Sequence, residues 1–142
     1  MELSTALTFA REHRQAVLAT QKADGRPQLS NVIYGVDDDG LIRVSITADR
    51  AKAKNMARDP RVSLSISRSD FYAYVVLEAD AELGPVPTST DDPAIDEMVD
   101  LYRSMAGEHP DWDDYRQAMV RDRRLVARLR PTRAYGMLQL PS

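Results

Sequence analysis

Alternation of apolar and polar residues dominates the first half of the chain. From Leu41 to Thr47 the residues Leu41, Arg43 and Ser45 alternate with Ile42, Val44 and Ile46, and Val62, Leu64 and Ile66 alternate with three serines. A period of two marks a strand with one buried face. The segments Gln15–Gln21 (QAVLATQ) and Pro27–Val36 (PQLSNVIYGV) are also strand-like, joined by Ala23-Asp24-Gly25-Arg26, whose Asp-Gly pair predicts a tight hairpin. Asp37-Asp38-Asp39-Gly40 predicts a second hairpin with Gly40 where φ must be positive. Phe71–Leu83, aromatic and β-branched at its start, predicts a long strand.

A helical period replaces this alternation in four places. Ser4 is the expected cap of a short helix carrying Leu7, Phe9 and Ala10, ending around His13 and Arg14 as a lid on the sheet. Asp49 is the expected cap of a helix over Arg50–Arg58 that Asp59-Pro60 stops after about two turns. Past a surface loop at Gly84–Asp92, Ile95, Met98, Val99 and Tyr102 share one face of a helix started by Pro93 and closed near Gly107. Asp111 caps another, beginning at Trp112 and running through Tyr115 and Met119, before Leu125–Leu129 and Ala134–Leu140 return to strand character. Hairpin-linked strands in two batches, without regular βα alternation, predict a mainly β fold, an antiparallel barrel decorated by short helices. The chain has no GxGxxG, the fingerprint of a dinucleotide-binding doubly wound sheet.

Size sharpens this picture. The 142 residues, 43% apolar, make one domain over residues 1–142, with roughly two-thirds of the extended surface buried. Such a domain has little wall thickness for a pocket holding both a cofactor and a substrate, so a site shared between two copies is expected. The balance of 19 Lys+Arg against 22 Asp+Glu gives no global field for nucleic acid or an acidic membrane. With no Cys, disulfides, thiolate metal sites and Cys nucleophiles are excluded. The apolar runs are too short for a membrane span or signal peptide, and a cytoplasmic protein is expected.

Any anion site must therefore be local, and the strongest candidate is Arg50-Ala51-Lys52-Ala53-Lys54 with Arg58 and Arg61. Two of the chain's three lysines lie here, and five bases face one acid, Asp59. At a helix start such bases join backbone N–H groups and the positive dipole end to cradle a phosphate or carboxylate; the same run also suits a solvated helix face. Gln28 and Ser30 share a strand face just after a turn, with Asn31 beside them, and can aim amide and hydroxyl groups at a heteroaromatic ring or simply meet water. Phe71, Tyr72 and Tyr74 can form a flat wall or pack across strands. His13 and His109 are too isolated for a ligand set, so no metal is expected. Acids near Trp112 suit a helix start. The acidic stretch Asp91–Asp114 (nine acids, one base) and the basic stretch Arg116–Arg133 (seven bases, one acid) are complementary and can clamp each other within or between chains. With no nucleophile elbow and no P-loop, hard chemistry falls to a bound organic cofactor.

Three segments carry a resemblance to a known family: VLATQKADGRPQLSN at Val17–Asn31, VSITADRAKAKN at Val44–Asn55, and YRSMAGEHPDWDDYRQAMVRD at Tyr102–Asp122. They resemble the pyridoxamine 5′-phosphate oxidase-like split β-barrel superfamily, which is FMN-binding-like, and within it the small flavin/deazaflavin oxidoreductases that bind coenzyme F420. The resemblance implies a homodimer with two cofactor sites at the interface. It implies that Arg50 and Lys52 hold the phosphate-bearing chain, that Ser45, Ile46 and Thr47 lie along the ring and side chain, and that Gln28, Ser30 and Asn31 lie near the polar ring edge. Tyr72 and Tyr74 then reach in from the neighbouring subunit. The implied activity is hydride transfer from reduced F420 to a conjugated small molecule. FMN is the alternative cofactor, and a non-catalytic F420 carrier or a heme binder are the competing roles. No catalytic acid is identified.

Overall fold

The computed structural model describes residues 1–139. The chain runs α1 (Leu3–Arg11), β1 (Gln15–Gln21), β2 (Pro27–Ile33), β3 (Gly35–Val36), β4 (Ile42–Thr47), α2 (Ala51–Arg58), β5 (Arg61–Ser67), β6 (Tyr74–Leu83), α3 (Pro93–Ala106), α4 (Trp112–Arg121) and β7 (Arg124–Met137). All strand pairs are antiparallel, in the order β2-β1-β5-β6-β7-β4-β3. The two edge strands, β2 and β3, are separated by Tyr34 alone. One residue cannot span a flat sheet of seven strands, about 4.8 Å apart, so the sheet curls until its edges meet. Tyr34 fills that corner, 1% exposed, its hydroxyl donating to the Ala10 carbonyl at 2.7 Å.

The alternation read from the sequence sorts the two faces of this half-barrel. Leu18, Ile42, Val44, Ile46, Leu64, Ile66, Leu77 and Leu129 point inward and are buried, each contributing about 1.5–3 kcal/mol of apolar burial. The three serines of β5 face outward. The Gln15–Gln21 strand, both hairpins and the Gly40 turn (φ +88°) stand as expected. Asp92 and Asp111 cap α3 and α4 by accepting from the N–H groups of Ala94 and Asp114 at 3.0 and 3.1 Å.

Several expectations are corrected. Ser4 lies inside α1, because Ala6 N–H bonds to the Glu2 carbonyl at 3.2 Å and carries the helix back to Leu3. Asp49 does not cap α2; Arg50 occupies that position in extended conformation without a side-chain cap. The Pro27–Val36 strand breaks at the Tyr34 corner. Strand β6 starts at Tyr74, since Asp70 accepts from the Tyr72 N–H (3.0 Å) and Arg68 Nε (2.9 Å) and turns the preceding residues into a loop. The two final strands are one: β7 passes through Pro131 at a register shift opposite Glu78/Ala79, a bulge that accommodates the missing N–H. Leu140, the end of the expected last strand, lies outside the described residues.

The acidic and basic stretches do clamp within the chain. Glu97 of α3 accepts from Arg128 Nη2 at 2.8 Å and from Arg43 Nε at 3.1 Å, and Arg116 of α4 meets Asp96 of α3 at 3.0 Å. Burial opposes ionisation of Glu97, but the Arg128 and Arg43 hydrogen bonds outweigh it and hold the carboxyl below its usual range. The network fixes α3 beside the sheet, with its C-terminal turn over one end of β4.

Candidate functional site

A cleft of about 710 Å³ opens where β4 ends, α2 begins and the last turn of α3 approaches the β1–β2 edge. Its lining includes Asn31, Ser45, Ile46, Thr47, Arg50 and Lys52, so the fold gathers six of the ten residues singled out from the sequence. Strand β4 supplies Ser45 and Thr47 from its half-buried face, while Ile46 is 1% exposed and belongs to the floor. The helix start of α2 then brings in Arg50 and Lys52, its first N–H groups free of any side-chain cap.

The other four lie elsewhere. Gln28 and Ser30 occupy the core-facing side of β2, opposite Thr20 and Leu18, whereas Asn31 points to the outer side with Val17. Period two makes that separation unavoidable for neighbours in a strand. Tyr72 and Tyr74 are 62% and 36% exposed, outside the cleft of their own chain.

The structure adds Arg124 and Tyr102, which the sequence did not single out. Arg124 pairs with Thr47 across the β7–β4 ladder, and only that long-range register brings it beside Arg50 and Lys52. Its Nη1 donates to the Ser45 carbonyl at 3.4 Å, while its Nε is buried without a hydrogen-bond partner. Tyr102, an expected core position of α3, is half-buried and lines the cleft instead. Its ring packs against His109, Trp112 and Tyr115 with centroids 5.2–5.6 Å apart, and Tyr115 is anchored by its hydroxyl on the Met98 carbonyl at 3.0 Å. The aromatic spacing of the GEHPDWDDY stretch was a signal for this wall.

The electrostatics are one-sided. Arg14, Arg50, Lys52 and Arg124 line the cleft and no Asp or Glu does. Burial, then the fields of Arg50 and Arg124, hold the Lys52 ammonium pKa below the usual lysine value. Clustered cations, an uncapped helix start, two hydroxyl side chains and a buried guanidinium N–H with no partner fit an anion of the phosphate kind. A shallower recess shares Thr47, Arg50 and Arg124 with the cleft and adds Arg121 and Arg123 against Asp49 and Asp122. Cationic surface thus extends beyond the reach of one phosphate.

The outer sheet face carries exposed apolar side chains among its serines and amides. Ladder pairs put Val17, Leu29, Ile33, Tyr74, Tyr135 and Met137 on this one side, and each is at least 36% exposed. Gly136 lets β7 approach closely here: a Cβ at that position meets the Tyr74 carbonyl at 2.2 Å.

Among the described residues, no helix is long and apolar enough to cross a membrane, and no three His, Asp or Glu gather as a metal site.

Comparison with known proteins agrees with this architecture. The sequence profile of pyridoxamine 5′-phosphate oxidase matches residues 4–138. Among solved structures, the conserved hypothetical protein Rv2991 from Mycobacterium tuberculosis is 26% identical, with 97% of this chain and 85% of that chain covered and a TM-score of 0.74. An F420 reductase is 23% identical over 86% of this chain and 89% of its own, with a TM-score of 0.65. A heme binding protein from Mycobacterium smegmatis is 25% identical with a TM-score of 0.68; the match covers 93% of this chain but about half, 52%, of that one.

Proposed function

The chain belongs to the pyridoxamine 5′-phosphate oxidase-like split-barrel family, and on that premise we propose that it is an F420-dependent reductase acting on a conjugated small molecule. The observation that carries the reading is the acid-free cluster of Arg50, Lys52 and Arg124 in the cleft, with Arg123 beyond it beside the Arg121–Asp122 ion pair. F420 bears a phosphodiester and an oligoglutamate tail, so it presents negative charge over a longer path than the single phosphate of FMN. Arg50, Lys52 and Arg124 hold the phosphate; Ser45 and Thr47 border the chain leading to the ring, and Asn31 offers its amide at the ring end. When bound, the deazaflavin supplies hydride transfer; the protein supplies charge, orientation and exclusion of water.

The same reading includes a homodimer in a cytoplasmic setting. The exposed apolar sheet face needs a cover, and a second copy provides one that also carries Tyr72 and Tyr74 to the neighbouring ring site. Sedimentation at micromolar concentration is expected to give twice the 15.9 kDa chain mass, from an interface burying more than about 2,000 Å²; a monomer removes the shared site.

Equilibrium titration of the purified protein with F420, FMN and hemin tests the cofactor. F420 is expected to bind most tightly. Arg50→Ala and Lys52→Ala should each weaken it by roughly tenfold or more. Arg128→Ala, in the Glu97 network, should leave it within about twofold. Tighter binding of FMN favours a flavin-dependent oxidase or reductase of the same fold, and tighter binding of hemin favours a heme protein; either overturns the F420 reading.

A further inference from the structure

Thr20 of β1 and Asn55 of α2 are polar side chains where folding alone favours apolar ones, at 1% and 6% exposure. Thr20 continues the inward row of Ala16 and Leu18, and Asn55 shares the buried face of α2 with Ala53 and Met56. The two meet. Asn55 Nδ2 donates to Thr20 Oγ1 at 3.1 Å, and Asn55 Oδ1 accepts from Arg58 Nη2 at 2.9 Å, which also donates to the Gln21 carbonyl at 2.7 Å. A satisfied buried pair adds little stability over apolar groups of the same shape, but it is directional. The apolar part of this contact is not: alanine is small, and methionine adapts to several shapes. Among the described residues, no α2 side chain other than Asn55 and Arg58 hydrogen-bonds to the sheet.

That direction matters at the other end of the helix. The Arg50 N–H donates to the Thr47 carbonyl at 3.1 Å and ties the start of α2 to the end of β4, which leaves the swing and roll of the helix to be set elsewhere. The Asn55–Thr20 bond lies about 7.5 Å further along the axis and sets both. Lys52 and Asn55 are three residues apart and occupy adjoining strips of one face. The roll that keeps Asn55 on Thr20 therefore keeps Lys52 in the cleft lining with Arg124, while Lys54 faces away and is exposed.

We propose that the Asn55–Thr20 pair is a positioning device for the anion cradle, holding α2 at the angle that aims its first N–H groups and Lys52 at one point in the cleft. The assignment rests on the cleft being the cofactor site. Neither residue touches the cofactor; both act through α2. The first N–H groups have no flexible stem with which to follow a displaced ligand, so a helix moved by about 1 Å aims them past the phosphate.

The test uses the double variant Thr20→Val/Asn55→Leu, in which apolar side chains of similar shape replace the pair. It should melt within about 2 °C of wild type or higher, yet bind F420 roughly fivefold or more weakly in fluorescence titration. In the free double variant Lys52 should also titrate closer to the usual lysine value, because the burial and the fields of Arg50 and Arg124 that depress it depend on the same angle. Carbon NMR of the methylene bonded to Nζ reads that titration in a chain with three lysines. Thr20→Ser keeps the acceptor and should bind F420 within about twofold of wild type. A double variant with wild-type F420 affinity and an unmoved Lys52 titration overturns the proposal. So does one that melts well below wild type, which makes the pair a support of the fold, or a loss in Thr20→Ser equal to that of the double variant, which makes the methyl the contact that matters. Wild-type protein that binds neither F420 nor FMN overturns the cofactor reading instead, and the Lys52 titration then decides the positioning alone.

Discussion

Replacing Arg124 by Met separates an anion-binding arginine from a structural one, because the two roles move stability in opposite directions. Methionine keeps much of the apolar stem and removes the charge. In the free protein Arg124 stands near Arg50 and Lys52 on the cleft side and near Asp122 on the other, its Nε is buried without a partner, and its side-chain hydrogen bond to the Ser45 carbonyl is long at 3.4 Å. The attraction of Asp122 offsets the partly solvated like-charge repulsion, and removal of a buried unsatisfied N–H contributes about 1 kcal/mol or more. Free Arg124→Met is therefore expected to melt about 3 °C or more above wild type. The bound state reverses the sign. A charge-assisted contact to phosphate is worth about 1.5–3 kcal/mol, so the Kd for F420 should rise roughly 10- to 150-fold. Thermal melts of the free protein and fluorescence titration with F420 read both quantities. A Kd within about threefold of wild type, or a Tm that falls, makes Arg124 a structural residue and not an anion-binding one.

Lys52 makes anion binding pH-dependent. Its pKa is lowered in the free protein and a bound phosphate restores the charged form, so F420 affinity should fall as pH rises toward the usual lysine range while the free protein gains stability over the same rise; Lys52→Arg should flatten the affinity profile, and a flat wild-type profile contradicts the assignment. Glu97 has the opposite sign. Its folded pKa is depressed, so its contribution is present above the unfolded value and lost as pH falls through the folded one. Glu97→Gln should cost about 1–2 kcal/mol at neutral pH and progressively less as pH falls through the depressed folded value; urea melts at neutral and successively lower pH check this. Gly136→Ala places a Cβ 2.2 Å from the Tyr74 carbonyl and must part β6 from β7, costing about 2 kcal/mol or more; an unchanged urea midpoint shows that the strands approach less closely.

Local pattern made the strands and helices legible wherever one face is buried and the other wet. The alternations of Ile42–Thr47 and Arg61–Ser67, and the capping aspartates of α3 and α4, are cases in which propensity and tertiary packing agree. Errors fell where a tertiary contact or local polar bonding overrode the pattern. Asp70 turned Phe71 out of the strand, the Tyr34 corner interrupted a run of β-formers, and a bulge carried β7 through Pro131. The cationic half of the cleft was readable because Arg50 and Lys52 lie close in sequence. Arg124 was not, since only the β4–β7 register places it there, and Tyr102 was hidden by an apolar helical period that serves a core position and a cleft wall equally well.

Single-turnover oxidation of prebound reduced F420 under anaerobic conditions shows whether the bound cofactor passes hydride onward. Quinones, enones and nitroaromatics are supplied as acceptors, and the loss of the reduced form is followed by the return of deazaflavin absorbance. Acceptor-dependent oxidation well above the background without acceptor is expected. Tyr74→Ala should suppress that oxidation far more than it weakens cofactor binding, because an acceptor held loosely rarely reaches attack geometry. Tight binding of reduced F420 with no oxidation above background by any acceptor contradicts hydride transfer and makes the protein a carrier.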